Sequence, residues 1–115
     1  MRFLLLLRGD AAAEAAMTDA ERREMVDDHI AYAAMLRQRR AYVYGDPLDV
    51  PETARVIRFD GPEPVVTDGP FLESKESLGG FYVLECGSAD EAADLARQLP
   101  RSPGLVAELR PIPPV

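Results

Sequence analysis

His29 is the only histidine of this chain, and an imidazole titrating near neutrality is the side chain best suited to taking and returning a proton at physiological pH. Its spacing from Met25, Ala33 and Leu36 places it within or beside the apolar stripe of a helix. There it is either a general base, if a carboxylate orients it, or a half-buried ring bonded to backbone. Asp68 precedes Gly69-Pro70. Its carboxylate either closes an Asx-turn by accepting a backbone N–H or fixes the tautomer of an imidazole across a cleft, as the second members of catalytic dyads do. Gly69 lets the chain pass close to a ligand, and Pro70 stiffens the approach. Lys75 is the one lysine among thirteen basic residues, the rest being arginine. A compact ammonium differs from a planar guanidinium fork in hydration and pKa, so Lys75 is read either as a partner for a substrate anion or Glu76, or as a surface residue in a solvated turn. Tyr44 and Tyr82 suit an aromatic-binding cleft, although aromatic residues on strands usually pack a core or an interface. Cys86 has no basic neighbour in sequence to lower its pKa and reads as buried and inert.

Short elements must hold these groups. Phe3 to Leu7 is an apolar run of strand length that suits a strand buried on both faces. Thr18-Asp19-Ala20-Glu21 is a capping box, and from Glu21 to Arg39 the residues Met25, Val26, Ile30, Ala33, Ala34 and Leu36 recur at helical spacing opposite Arg22, Arg23, Asp27, Asp28 and Arg37. Ala41 to Tyr44 is a β-prone run that Gly45-Asp46-Pro47 interrupts. Thr53 to Phe59 and Pro64 to Val66 flank an Asp60-Gly61 turn as a hairpin. Leu78 to Glu85 is a strand with Phe81 and Val83 on one face and Tyr82 and Leu84 on the other, and Gly79-Gly80 at its entrance suggests a bulge. Ser88-Ala89-Asp90-Glu91 opens a second helix with Ala92, Leu95, Ala96 and Leu99 as its stripe, ending at Pro100. Gly104 to Leu109 closes the chain as a strand.

That order predicts an α+β ferredoxin-like sandwich, an antiparallel sheet with two helices on one face. No helix remains for the other face, yet the strands are apolar on both sides. A second copy is therefore expected to cover it, giving a homodimer. The 115 residues have room for a single domain, 1–115, with one core.

The composition excludes several function classes. A formal net charge of −7 repels polyanions, so direct nucleic-acid binding is not expected. One cysteine and one histidine are too few for an internal disulfide or a self-contained zinc site, so no metal is expected and a reducing, cytoplasmic setting fits. The apolar run at the N-terminus spans five residues before Arg8, short of the roughly 7–15 of a signal h-region, and no run has membrane-span length. There is no Gly-rich phosphate loop and no metal-ligand cluster, so no cofactor is expected.

Taken in order, the N-terminal strand, the helix bearing His29, Gly45-Asp46-Pro47-Leu48, Thr67-Asp68-Gly69-Pro70-Phe71, Glu73-Ser74-Lys75-Glu76, Leu78-Gly79-Gly80-Phe81-Tyr82 and Leu109-Arg110-Pro111-Ile112 resemble the pattern of the YCII-related, DGPF-domain family over nearly the whole chain. The resemblance implies a ferredoxin-like subunit that pairs into a dimeric α+β barrel with a cleft near the subunit boundary. Similar proteins include a dehydrochlorinase of a chlorinated hydroxyhydroquinone with a proposed His and Asp pair, which would be His29 and Asp68 here. The motif makes Gly69, Pro70, Phe71, Lys75 and Glu76 the substrate-binding candidates. Two functions are thus expected: a cofactor-independent lyase or isomerase acting on a small cyclic or phenolic substrate, or a non-catalytic dimeric module binding a small ligand or a sigma-factor-related protein partner, since similar proteins are associated with such factors. One departure is Arg39-Arg40-Ala41, where the family often has a glycine after the first helix. The helix is expected to end differently or to run on by a residue.

Overall fold

The computed structural model describes residues 1–72 and 74–115. Strands β1 (Arg2–Asp10), β2 (Tyr42–Pro47), β5 (Glu76–Glu85) and β6 (Val106–Ile112) form one sheet in the order β2-β5-β1-β6. Every neighbouring pair is antiparallel. Helices α1 (Ala11–Ala15), α2 (Asp19–Gln38) and α3 (Ala89–Ala96) complete the main body, and β3 (Arg55–Arg58) pairs only with β4 (Val65–Asp68) in a separate hairpin. Removing that hairpin leaves strand-helix-strand-strand-helix-strand with the two central sheet positions taken by the first and third strands, which is the ferredoxin-like arrangement.

Side-chain alternation explains the layering. On β1, Phe3 and Leu5 are fully buried, and the register sets them against Leu84 and Tyr82 of β5. The same layer receives Tyr32 and Leu36 from α2, Ala92 and Leu95 from α3, and Ala41, Cys86 and Leu99 from the connections. Each large apolar side chain buried there contributes on the order of 1.5–3 kcal/mol. The intervening residues Leu4, Leu6, Phe81 and Val83 point to the opposite, helix-free face and stay partly exposed.

Helix α2 starts as its sequence dictates. The Thr18 hydroxyl accepts the Glu21 N–H at 3.1 Å and the Glu21 carboxylate accepts the Thr18 N–H at 3.0 Å, which satisfies two of the four orphan donors. It ends at Arg39, and Arg40 takes the left-handed conformation, φ 58°, that glycine usually supplies. The Ala41 N–H then donates to the Leu36 carbonyl at 2.8 Å and the Arg40 N–H to the Arg37 carbonyl at 3.0 Å, a complete Schellman closure. The missing glycine therefore changes the residue that carries the strain, not the way the helix stops.

Several sequence expectations change. Val26 and Ile30 are exposed by 56% and 63% rather than packed, because the buried face of α2 is centred on Tyr32 and Leu36. Gly45, Asp46 and Pro47 continue β2 instead of breaking it. The residues between β3 and β4 form a six-residue connection rather than a tight turn at Asp60-Gly61, and β6 runs through Pro111 to Ile112. The Ala-rich stretch is a short helix, capped by the Asp10 side chain. The bulge at the entrance of β5 is present: Leu7 faces Gly80 and Arg8 faces Leu78, so Gly79 has no opposite residue.

Candidate functional site

Tyr82 organises the region around His29. Its ring, buried on the helix side of β5, meets the Tyr32 ring edge-on with centroids 5.3 Å apart and lies nearly parallel to the His29 imidazole at 6.0 Å. Its hydroxyl is 2.7 Å from His29 Nδ1. On the strand side the ring lies against Gly45, its register partner on β2: a Cβ at Gly45 would come within 2.6 Å of the Tyr82 ring. Glycine at that position is thus a steric requirement of the tyrosine's pose. Tyr32 is held in turn by donating its hydroxyl to the Leu95 carbonyl at 2.7 Å, which ties α2 to α3 directly beneath the site.

Electrostatics follow from half-burial. Loss of solvation lowers the His29 pKa, with Asp28 partly opposing it, so the neutral ring dominates near neutrality. Burial and the neighbouring Tyr42 push the Tyr82 phenol up to about 12. A neutral imidazole and a neutral phenol share the 2.7 Å bond in one of two ways. Either the phenol donates to Nδ1 and the ring proton sits on Nε2, or Nδ1–H donates to the phenolic oxygen and Nε2 keeps a free lone pair.

The remaining sequence candidates lie elsewhere. Asp68 ends β4, with its carboxylate 4.0 Å from the Arg55 guanidinium across the ladder. Gly69 has φ 99° and donates its N–H to the Ala54 carbonyl, closing the base of the hairpin. Phe71 is exposed, with the Arg58 guanidinium 5.5 Å above its ring. Pro70 is half-buried, and Lys75 and Glu76 are exposed where the chain enters β5. Glu73 lies outside the described residues. Among the described residues, no hydrogen bond or ion pair joins His29 to Asp68; the ring's partner is Tyr82 and the carboxylate's is Arg55. Nor do three His, Cys, Asp or Glu side chains gather as a metal-binding group among them.

Comparison with known proteins gives the lineage. The model of the YCII-related domain matches residues 1–113. The chain belongs to the YCII-related family. A relative in Rhizobium meliloti (strain 1021), an uncharacterized protein designated R00369, is 53% identical over 51 residues. That match takes in 44% of this chain and 41% of the relative, so the chain spans less than half the length of the curated relative it matches. No described helix is long and apolar enough to cross a membrane.

Sequence reasoning singled out His29 but missed its partner. Tyr82 read as packing, and it does pack; its hydroxyl is what reaches the imidazole. The available signal was Gly45, a glycine inside a strand, which marks a close approach by a neighbouring side chain.

Proposed function

We propose that this YCII-related chain is a cofactor-independent acid/base catalyst of lyase or isomerase type acting on a small cyclic or phenolic molecule, with His29 as the proton-transferring group. The single observation that carries the reading is the 2.7 Å bond between the half-buried, sole imidazole and Tyr82. A base needs a free lone pair, so in this mechanism His29 Nδ1–H donates to the Tyr82 oxygen and Nε2 accepts the substrate proton. The bond persists in the imidazolium, where it is stronger because the donor is charged. The lowered His29 pKa keeps the ring unprotonated and ready at neutral pH.

Orientation of the ring, the catalytic role expected of Asp68, thus passes to Tyr82 within one chain. Asp68, with Gly69, Pro70, Phe71, Lys75 and Glu76, is proposed as the substrate-facing side, Lys75 meeting developing oxyanion charge. The working unit is proposed to be a cytoplasmic homodimer in which a second copy covers the helix-free face carrying Leu4, Leu6, Phe81 and Val83. Support for pairing comes from those partly exposed apolar side chains and from Val106 and Ile112 beside them, 49% and 40% exposed.

The test incubates the protein with hydroxyhydroquinone and a chlorinated hydroxyhydroquinone and follows product or chloride release. His29→Ala is expected to lose at least about a hundredfold in rate, the lower range for a positioned proton-transfer group. Undiminished turnover in that variant removes His29 from the mechanism.

A further inference from the structure

We propose that the β3–β4 hairpin is an exchanged arm: in a dimer, the hairpin of one copy lies along β2 of the second and over the Val26–Ile30 flank of its α2, roofing the His29–Tyr82 pair. Three observations lead there. The hairpin is a two-stranded sheet separate from the main one, with Ile57, Phe59, Val65 and Val66 all between 49% and 73% exposed. Such a ribbon is marginal in water unless something covers it. Second, the chain is far from compact: its radius of gyration is 16.0 Å against about 13 Å for a folded chain of this length. Its accessible surface is 8324 Å² against about 6200 Å² for a folded monomer of this mass. The excess of about 2100 Å² per chain is in the range an obligate dimer buries.

Third, the destination is identifiable. The sheet has two free edges, β2 and β6. Strand β6 carries Pro111 and the charges Glu108 and Arg110, which oppose further pairing. Strand β2 has its proline only at the last residue. Beside β2 the exposed Val26 and Ile30 of α2 form an apolar strip flanking His29, and Arg37 closes over Tyr42 at 4.3 Å. Strand addition at an open edge supplies main-chain hydrogen bonds while the ribbon's side chains cover the strip. Two surface grooves are lined by Asp28, Ala31, Tyr32, Met35, Gln98 and Pro100, and by residues around Met25 and Arg101. The arm encloses the His29–Tyr82 pair from the other flank of α2.

The inference takes His29–Tyr82 as the site, on the reading above, but its test involves no turnover. Uniformly ¹⁵N-labelled Cys86→Ser protein is mixed one to one with unlabelled Cys86→Ser, Gly61→Cys protein bearing a nitroxide at the arm's tip, where an added Cβ meets nothing within 4 Å. The expected result is broadening of the Val26, His29, Ile30 and Tyr44 amides in the labelled, nitroxide-free chain. Broadening confined to Leu4, Leu6 and Val106 of the helix-free face, or no broadening, overturns the proposal. In a second arm, Ile57→Asp with Phe59→Asp is expected to shift sedimentation toward the monomer with an unchanged far-ultraviolet circular dichroism spectrum. An unchanged dimer mass also overturns it. Failure of the His29→Ala rate test alone would leave the exchange standing over an inert pair.

Discussion

His29 is lowered in pKa by lost solvation, and that direction fixes the pH dependence of stability. An unfolded chain takes up a proton on this residue as pH falls through its ordinary value near 6.5, before the folded chain does. The contribution is therefore full above that value and is lost as pH drops toward the folded pKa. Urea midpoints measured between about pH 7 and 5 are expected to fall for wild type more than for His29→Gln; parallel curves would mean that the ring is as solvated folded as unfolded. Tyr82→Phe keeps the packing against Tyr32 and removes the hydroxyl, so a loss of about 1 kcal/mol is expected in denaturant titration. At this scale the sequence was half legible. A lone histidine near an apolar stripe could be found by type and spacing, but its partner lies 53 residues away in sequence and met it only through the β-sheet and helix packing.

At the scale of elements, two glycine questions give opposed expectations. Arg40 occupies a left-handed conformation that costs a non-glycine residue about 1 kcal/mol. Arg40→Gly is thus expected to raise the thermal midpoint by several degrees, since its Schellman bonds remain. Gly45→Ala drives a Cβ into the Tyr82 ring and is expected to destabilise by about 1–3 kcal/mol, whereas Gly61→Ala, in open space, is expected to stay within about 0.5 kcal/mol of wild type. Calorimetry of the three variants checks both. Capping boxes and strand alternation were legible because they are local: Thr18 and Glu21 need only three residues of separation, and Phe81 to Leu84 alternate wherever the strand sits. The buried face of α2 was not. Met25, Val26, Ile30, Ala33 and Leu36 cover too wide an arc to bury at once, and Tyr32 decided the choice by reaching the Leu95 carbonyl and the Tyr82 ring.

For the whole molecule, the order of elements in sequence was enough to anticipate the ferredoxin-like sheet, since a helix between each outer pair of strands leaves few antiparallel arrangements. What sequence could not show was that the hairpin around Asp60 stands apart from that sheet. Its alternating apolar residues read the same whether they pack on their own chain or another. This separation also explains why Asp68 and His29 have different partners in one chain: they belong to different sheets' neighbourhoods, the arm and the main body.

The central claim is that His29 is a neutral base whose Nδ1–H is given to Tyr82. Because there is one histidine, a long-range ¹H–¹⁵N correlation spectrum followed through a pH titration reads it without assignment ambiguity. The account predicts a midpoint below the ordinary histidine value, with Nδ1 protonated and Nε2 bare above it, and loss of that tautomer preference in Tyr82→Phe. A midpoint at or above the ordinary value, or a wild-type ring that carries its proton on Nε2, would contradict it.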